Sequence, residues 1–353
     1  MNLPEEYTRM SDAETTNRIR HAKQTLGTSV TILAHYYQRD EIVQFADFCG
    51  DSLELSRRAA QTDQAKYIVF CGVHFMAETA ATLCQPNQAV IQPVPEATCP
   101  MALMATATDA EKAWIKLAST WPEDLIPIVY QNSTLALKAF AGRHGGFICT
   151  SANASKAFAW ALKCGRRILF MPDEHLGRNT ALSSGVPPKE IISWNPLDPP
   201  DTDFLARCRI AVWNGFCHVH TAFSRQDVEG VRARHPDSIV IVHPECPNEI
   251  VSKADSVGST TGIIRAVKKT PQGKTIAIGT EWHLVNRLSQ EFPEKTIFPL
   301  RQSVCHDMAV THIRHLLYAL ECILKDDPRN IIQVDPDESS WARLALEKMF
   351  KLA

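Results

Sequence analysis

The chain has 353 residues, 45% hydrophobic and 22% charged, enough for two or three ordinary globular domains. Its formal net charge of −2 excludes binding of nucleic acid or anionic membrane through bulk electrostatics, while leaving room for a local basic pocket. No apolar run approaches the ~20 residues of a membrane span. The opening MNLPEEYTRMSDAETTNRIR also lacks the apolar core of a secretion signal, so a cytoplasmic protein without membrane or nucleic-acid partners is expected.

In chain order, Ser11–Leu26 reads as a helix stopped by Gly27. The strand Thr31–Ala34 then ends in His35-Tyr36-Tyr37, and Gly50-Asp51-Ser52 opens a helix. A helix over 109–119 leads to a second strand, Leu125–Val129, which ends in Tyr130-Gln131-Asn132, with Cys149-Thr150-Ser151 opening the following helix. A helix over 226–234 leads to a third, Ser238–Val242, which ends in His243-Pro244-Glu245, with Gly258-Ser259-Thr260 at the next helix mouth. The steps from His35 to Ser52, Asn132 to Ser151 and His243 to Ser259 are 17, 19 and 16 residues. Each copy continues through further apolar strands: Tyr67–Phe70 and Ala89–Ile91, Arg167–Phe170 and Glu190–Ile192, Thr275–Ile278 and Thr296–Phe298. The middle copy has an additional strand, Arg209–Val212. Continuous β-branched runs suit parallel strands covered on both faces.

Three similar α/β units with small parallel sheets about a pseudo-threefold axis follow from this repeat. Their expected bounds are 29–106, 107–223 and 224–308, preceded by a helical segment 1–28 and followed by C-terminal helices in 309–353 that pack on the core. A helix from Met308 to Leu324 and another from Ser339 to Leu352 are expected there, both structural.

The chain contains 11 cysteines and no CxxC pair, which disfavours zinc fingers and ferredoxin-type loops. An isolated cysteine is ordinarily a small buried hydrophobe. Cys99, Cys217 and Cys305, however, each close one repeat unit. Equivalent loops about a common axis would bring them together as a three-point metal site. Soft thiolates favour zinc or iron–sulfur, and an open fourth position suggests chemistry. Cys246 is a decoy, because its counterparts in the other copies are not cysteine.

Ligands of parallel α/β folds sit beyond the carboxyl ends of the strands, and helix N-termini bind anions. His35, Tyr37, Tyr130, Asn132, His243 and Glu245 fall at first-strand ends, and Ser52, Ser151, Ser259 and Thr260 at helix mouths. His220 lies three residues beyond Cys217. Taken singly, such residues are usually caps or satisfied structural groups. Recurring at one place in the unit, they outline a pocket for a small, multiply anionic molecule, with Glu245, flanked by His243, as general base.

The stretches AHYYQ (34–38), GDSLELS (50–56), ATCPMA (97–102), YQNST (130–134), CTSANA (149–154), PDEHLGR (172–178), CHVH (217–220), VHPECP (242–247) and VGST (257–260) resemble the quinolinate synthase family, iron–sulfur enzymes of NAD biosynthesis. The resemblance implies condensation of iminoaspartate with dihydroxyacetone phosphate to quinolinate, phosphate and water. It implies a 4Fe–4S cluster on Cys99, Cys217 and Cys305, with one iron open as a Lewis acid. It places His35, Tyr37, Ser52, Tyr130, Asn132, Ser151, His220, His243, Glu245, Ser259 and Thr260 in the substrate pocket, with Glu245, His243, Tyr130 and Tyr37 moving protons. L-aspartate oxidase or aspartate dehydrogenase would be a transient partner supplying iminoaspartate.

Around Cys217 the run is Gly-Phe-Cys-His-Val-His, where a Gly-His-Cys-Pro-Val-His type is expected, and Cys305 lacks the CxxCxxC run of some relatives. Two other readings are a diphthamide-type three-cysteine enzyme acting on adenosylmethionine and a protein, and a non-enzymatic metal sensor. The His-Pro-Glu run and the helix-mouth hydroxyls disfavour the first. The lack of a basic DNA-reading helix disfavours the second.

Overall fold

The computed structural model describes residues 3–122 and 124–352. It holds three small sheets, and every strand pairing within them is parallel. The first contains β1 (Val30–His35), β2 (Phe48–Gly50), β3 (Tyr67–Cys71) and β4 (Ala89–Ile91) in the order β2-β1-β3-β4. The second contains β5 (Leu125–Tyr130), β6 (Phe147–Cys149), β7 (Arg167–Met171), β8 (Ile191–Trp194) and β9 (Ile210–Trp213) in the order β6-β5-β7-β9-β8. The third contains β10 (Ile239–Val242), β11 (Ser256–Val257), β12 (Thr275–Gly279) and β13 (Thr296–Pro299) in the order β11-β10-β12-β13. Helices flank all three, so the expected class, three similar α/β units, holds.

The order reverses beside β1, β5 and β10, which makes their carboxyl ends switch points where α/β sheets bind ligands. The short edge strands β2, β6 and β11 are not among the expected strands; they run up to or into the expected helix mouths. Sequence reading also misplaced the extra strand of the middle sheet. β9 pairs with both β7 and β8, so β9 occupies the place that β4 and β13 hold in their sheets, and β8 is displaced to the edge. Cys99, Cys217 and Cys305 therefore all follow the strand in the same sheet position, within eight residues of Ile91, Trp213 and Pro299 respectively.

The chain divides into two compact units. The first comprises Met1–Cys99 with Val304–Asp335 and carries the first sheet. Its core joins Ile32, Ala34, Val69 and Ile91 to Ile19 of the helix Asp12–Leu26 and to Leu316, Leu317 and Leu320 of the helix Ile313–Leu324. Truncating one of these fully buried leucines to alanine costs about 2–5 kcal/mol. The helix expected from Met308 to Leu324 is interrupted: a short turn of helix, His306–Ala309, precedes it, and Val310 is exposed in the break.

The second unit comprises Pro100–Ser303 with Pro336–Ala353 and carries the other two sheets. Its C-terminal helix, Pro336–Leu352, begins three residues before the expected Ser339, on a proline. Proline suits a first helical turn, where its missing N–H has no partner to lose. This helix lies hard against Gly142, where a Cβ would come within 2.0 Å of the Trp341 carbonyl oxygen. No helix among the described residues is long and apolar enough to cross a membrane.

Candidate active site

In the first unit β1 ends on His35, which is in register with Gly50 of β2. The Tyr37 amide donates to His35 Nδ1 at 3.1 Å, and the two rings meet edge to face at 4.7 Å. That bond leaves the proton of a neutral His35 ring on Nε2. Both side chains are buried. Asp51 caps the helix Ser52–Gln61, accepting from the amides of Leu53 and Glu54, so the Ser52 hydroxyl is not consumed as a cap.

The third sheet repeats the device. His243 follows β10, and the Glu245 amide points at His243 Nδ1 from 3.4 Å. Tyr130 and Asn132 take the corresponding places after β5, where Tyr130 is in register with Cys149 as His35 is with Gly50. The strand registers thus align His35, Tyr130 and His243 on one hand, and Tyr37, Asn132 and Glu245 on the other. By the same register Ser52, Ser151 and Thr260 are equivalent, each two residues past Gly50, Cys149 and Gly258. Ser259 falls in the place of Asp51. It caps the helix Thr260–Lys269 by accepting from the Gly262 amide, as Asp51 does for its helix. Asn132 Oδ1 is buried without a hydrogen-bond partner, which suits an acceptor waiting for a ligand.

The polar groups of the second unit converge on Glu245. Its carboxylate is 2% exposed and accepts a hydrogen bond from the Tyr130 hydroxyl. Its second oxygen lies 2.8 Å from His220 Nδ1. His220 Nε2 meets the Thr280 hydroxyl at 3.1 Å. His243 is 3.9 Å away from the carboxylate and stacks on His220, with centroids 4.2 Å apart and planes 14° from parallel. Adjacency in sequence pointed to His243 as the carboxylate's neighbour, but the direct partner is His220, 25 positions distant. Burial works to raise the Glu245 pKa. Charge from His220 and His243, with hydrogen bonds from His220 and Tyr130, outweighs it and holds the carboxyl down at about 2. Glu245 is therefore an ionised acceptor buried from the surface.

Asp173, at the start of the helix Glu174–Ser183, is fully buried. One oxygen caps the helix through the Leu176 amide at 2.6 Å, and the other has no hydrogen-bond partner. Burial, then repulsion from Glu245, raises this carboxyl well above the usual range. Two carboxyls sharing one buried region are pushed apart, Glu245 held down and Asp173 raised. Gly215 lies against this turn: the Glu174 amide donates to the Gly215 carbonyl, and a Cβ at 215 would reach 2.3 Å from the Pro172 oxygen. The close approach fixes the strand-end loop that runs on to Cys217. Sequence reasoning gave no role to Asp173 or Thr280. Their signal was positional, since Asp173 and Glu281 both cap the helix that follows the third strand, in chain order, of their sheets, and Thr280 immediately precedes Glu281.

Cys99, Cys217 and Cys305 are half-buried. Cys217 Sγ, a His220 ring nitrogen and a Glu245 oxygen lie within 4.8 Å of one another, a set able to hold a metal ion. Cys246 is fully buried and its thiol donates to the Gly279 carbonyl at 3.7 Å. Burial pushes its pKa up, as it does that of Cys149 and of Cys71, the last to about 12, so these three suit packing and not ligation.

Parallel sheets with polar strand ends, and a buried carboxylate joined to a phenol and an imidazole, form an arrangement able to carry acid–base chemistry, as in an enzyme. Residues 17–351 match the family described as Quinolinate synthetase A protein. The chain is 47% identical to a quinolinate synthase of Corynebacterium glutamicum over 99% of its own length and 90% of that protein's, and 44% identical to one of Bacillus mycoides over 99% and 96%. The chain belongs to the quinolinate synthase family of enzymes.

Proposed function

We propose that this enzyme condenses iminoaspartate with dihydroxyacetone phosphate to give quinolinate, phosphate and water, a step of NAD biosynthesis in the cytoplasm. The observation that carries the reading is the buried, ionised Glu245 carboxylate joined to Tyr130 and His220. A carbanion-forming condensation needs a base shielded from water, and a carboxylate between two proton-bearing partners can take up and return protons without solvent. Glu245 accepts the substrate proton, and Tyr130 and His220 redistribute it. His243 orients the turn through its ring nitrogen. Tyr37 does the corresponding work beside His35. Asn132, Ser52, Ser151, Ser259 and Thr260 hold the carboxylates and phosphate, three of them at the first turns of helices, where N–H groups favour anions. L-aspartate oxidase or aspartate dehydrogenase would hand over the iminoaspartate.

We further propose Cys99, Cys217 and Cys305 as ligands of one 4Fe–4S cluster, in three repeat units spanning 29–106, 107–223 and 224–308. Their donor chemistry fits. Three half-buried thiols follow equivalent strands, while the fully buried thiols are raised by desolvation. Bound there, the cluster would supply a Lewis-acid iron for a substrate oxygen or nitrogen.

Anaerobic purification with iron and sulfide counting, followed by assay of quinolinate from the two substrates, tests the whole reading. Cys99→Ala, Cys217→Ala and Cys305→Ala should each lose the cluster's visible absorbance, and Cys246→Ala should keep it. A Cys305→Ala protein with a complete cluster would overturn the ligand set.

A further inference from the structure

The helix Glu174–Ser183 carries a buried asparagine that the chemistry above does not use. Asn179 is 6% exposed. Its Nδ2 donates to the carbonyl of Pro244 at 2.8 Å and to the carbonyl of Cys246 at 2.8 Å. Its Oδ1 accepts from Asn248 Nδ2 at 2.9 Å. The amide has two N–H donors and spends both on the residues immediately before and after Glu245. The clamp itself stands on a rigid base. Asp173 caps the helix, and Gly177 lies so close to the sheet that a Cβ would come within 2.5 Å of the Phe170 ring and 2.8 Å of a Val212 methyl.

A turn held at both flanking carbonyls cannot rotate its central peptide, so the direction of the Glu245 side chain is set by a residue that never touches it. We propose that Asn179 is a positioning residue for Glu245, fixing the angle at which the carboxylate meets Tyr130 and His220 through its grip on the Pro244 and Cys246 carbonyls. The proposal rests on the reading of Glu245 as the base. The first copy secures its equivalent turn by other means: Gln38, in the place of Cys246, donates its own side-chain amide to the Met308 carbonyl at 3.1 Å. The Asn179 clamp, supplied by the second copy, therefore serves the turn that carries the carboxylate.

The test compares Asn179→Leu, which keeps the branched heavy-atom skeleton and removes both donors, with Asn248→Ala and the double variant, all as reconstituted holoenzyme. Asn179→Leu should lower kcat by about 100-fold, the scale of an ångström-sized misplacement. Cluster absorbance and quinolinate affinity, read by calorimetry, should stay within about threefold of wild type, since neither depends on the direction of Glu245. Asn248→Ala should lose a smaller factor, and the double variant should be no worse than Asn179→Leu, because both act through one clamp. An Asn179→Leu kcat within threefold of wild type, equal losses in kcat and product affinity, or additive losses in the double variant would each overturn the proposal. Should Asn179→Leu fail to fold, Asn248→Ala decides alone: a kcat loss at unchanged affinity supports the clamp, and an unchanged kcat sinks it. A readout independent of turnover is the Glu245 carboxylate stretch, isolated as the infrared difference between wild type and Glu245→Gln. It should shift in Asn179→Leu. A shift in a protein whose wild type makes no quinolinate would uphold the clamp and reject the proposed reaction, whereas an unmoved band beside an active wild type would do the reverse.

Discussion

The turn after β1 and the turn after β10 share one backbone device and differ in what it presents. In both, the amide two residues beyond a histidine points at that ring's Nδ1. The first presents a phenol, Tyr37, which is uncharged and needs no counter-ion in a buried place. The third presents Glu245, which needs His220, His243 and Tyr130 to stay ionised out of water. The difference teaches that the repeat supplies positions and leaves chemistry to single substitutions, and that a charged choice obliges the surroundings to change with it. Asp173, Asn179 and Thr280 are those surroundings.

Glu245→Gln tests the charged turn most directly. It keeps the shape and removes the base, so kcat should fall about 10³-fold, within the usual range for acid–base groups, with cluster absorbance unchanged. Near-normal turnover would erase the contrast between the two turns. Tyr130→Phe comes next. A hydrogen bond to a charged group contributes about 1.5–3 kcal/mol, so a loss of about 10- to 100-fold in kcat is expected by steady-state assay. Tyr37→Phe alters a neutral group, and about 10-fold or less should be lost. Equal losses in the two tyrosine variants would show that the turns do equivalent work.

The smallest effect is on stability. Burial and the Glu245 charge raise the Asp173 carboxyl in the folded chain, so it holds its proton to higher pH there than in the unfolded chain, which releases it above about pH 4. Wild-type stability therefore falls as pH rises from about 4 toward the raised folded value. Asp173→Asn abolishes this dependence, and its melting temperature measured by calorimetry should gain on wild type between pH 5 and pH 8, by about 2–4 °C for each kcal/mol. A constant gap across that range would mean that Asp173 is ionised in the fold.

The sheets were legible because their long strands are unbroken apolar runs: LIPIVY of β5 is buried at all six positions. β2, β6 and β11 were not, since two or three residues carry no period and FCG or SV has no strand signature. The exchange of β8 and β9 was hidden because pairing order is a long-range property. At the site, strand-end residues stood out by recurrence. Asn179 and Thr280 did not, because each acts across a long stretch of chain, on residues 65 to 67 positions away and 60 away respectively. Nothing local distinguishes such an asparagine from a helix-surface one.

The outer seat of β8 has a practical corollary. The hairpin from Asn195 to Asp198 hangs off the sheet margin, with Leu197 93% exposed and the strand ends that carry chemistry belonging to β5, β7 and β9. A reporter peptide spliced after Leu197 would ride on the periphery and leave turnover intact, giving a handle for labelling the enzyme in place.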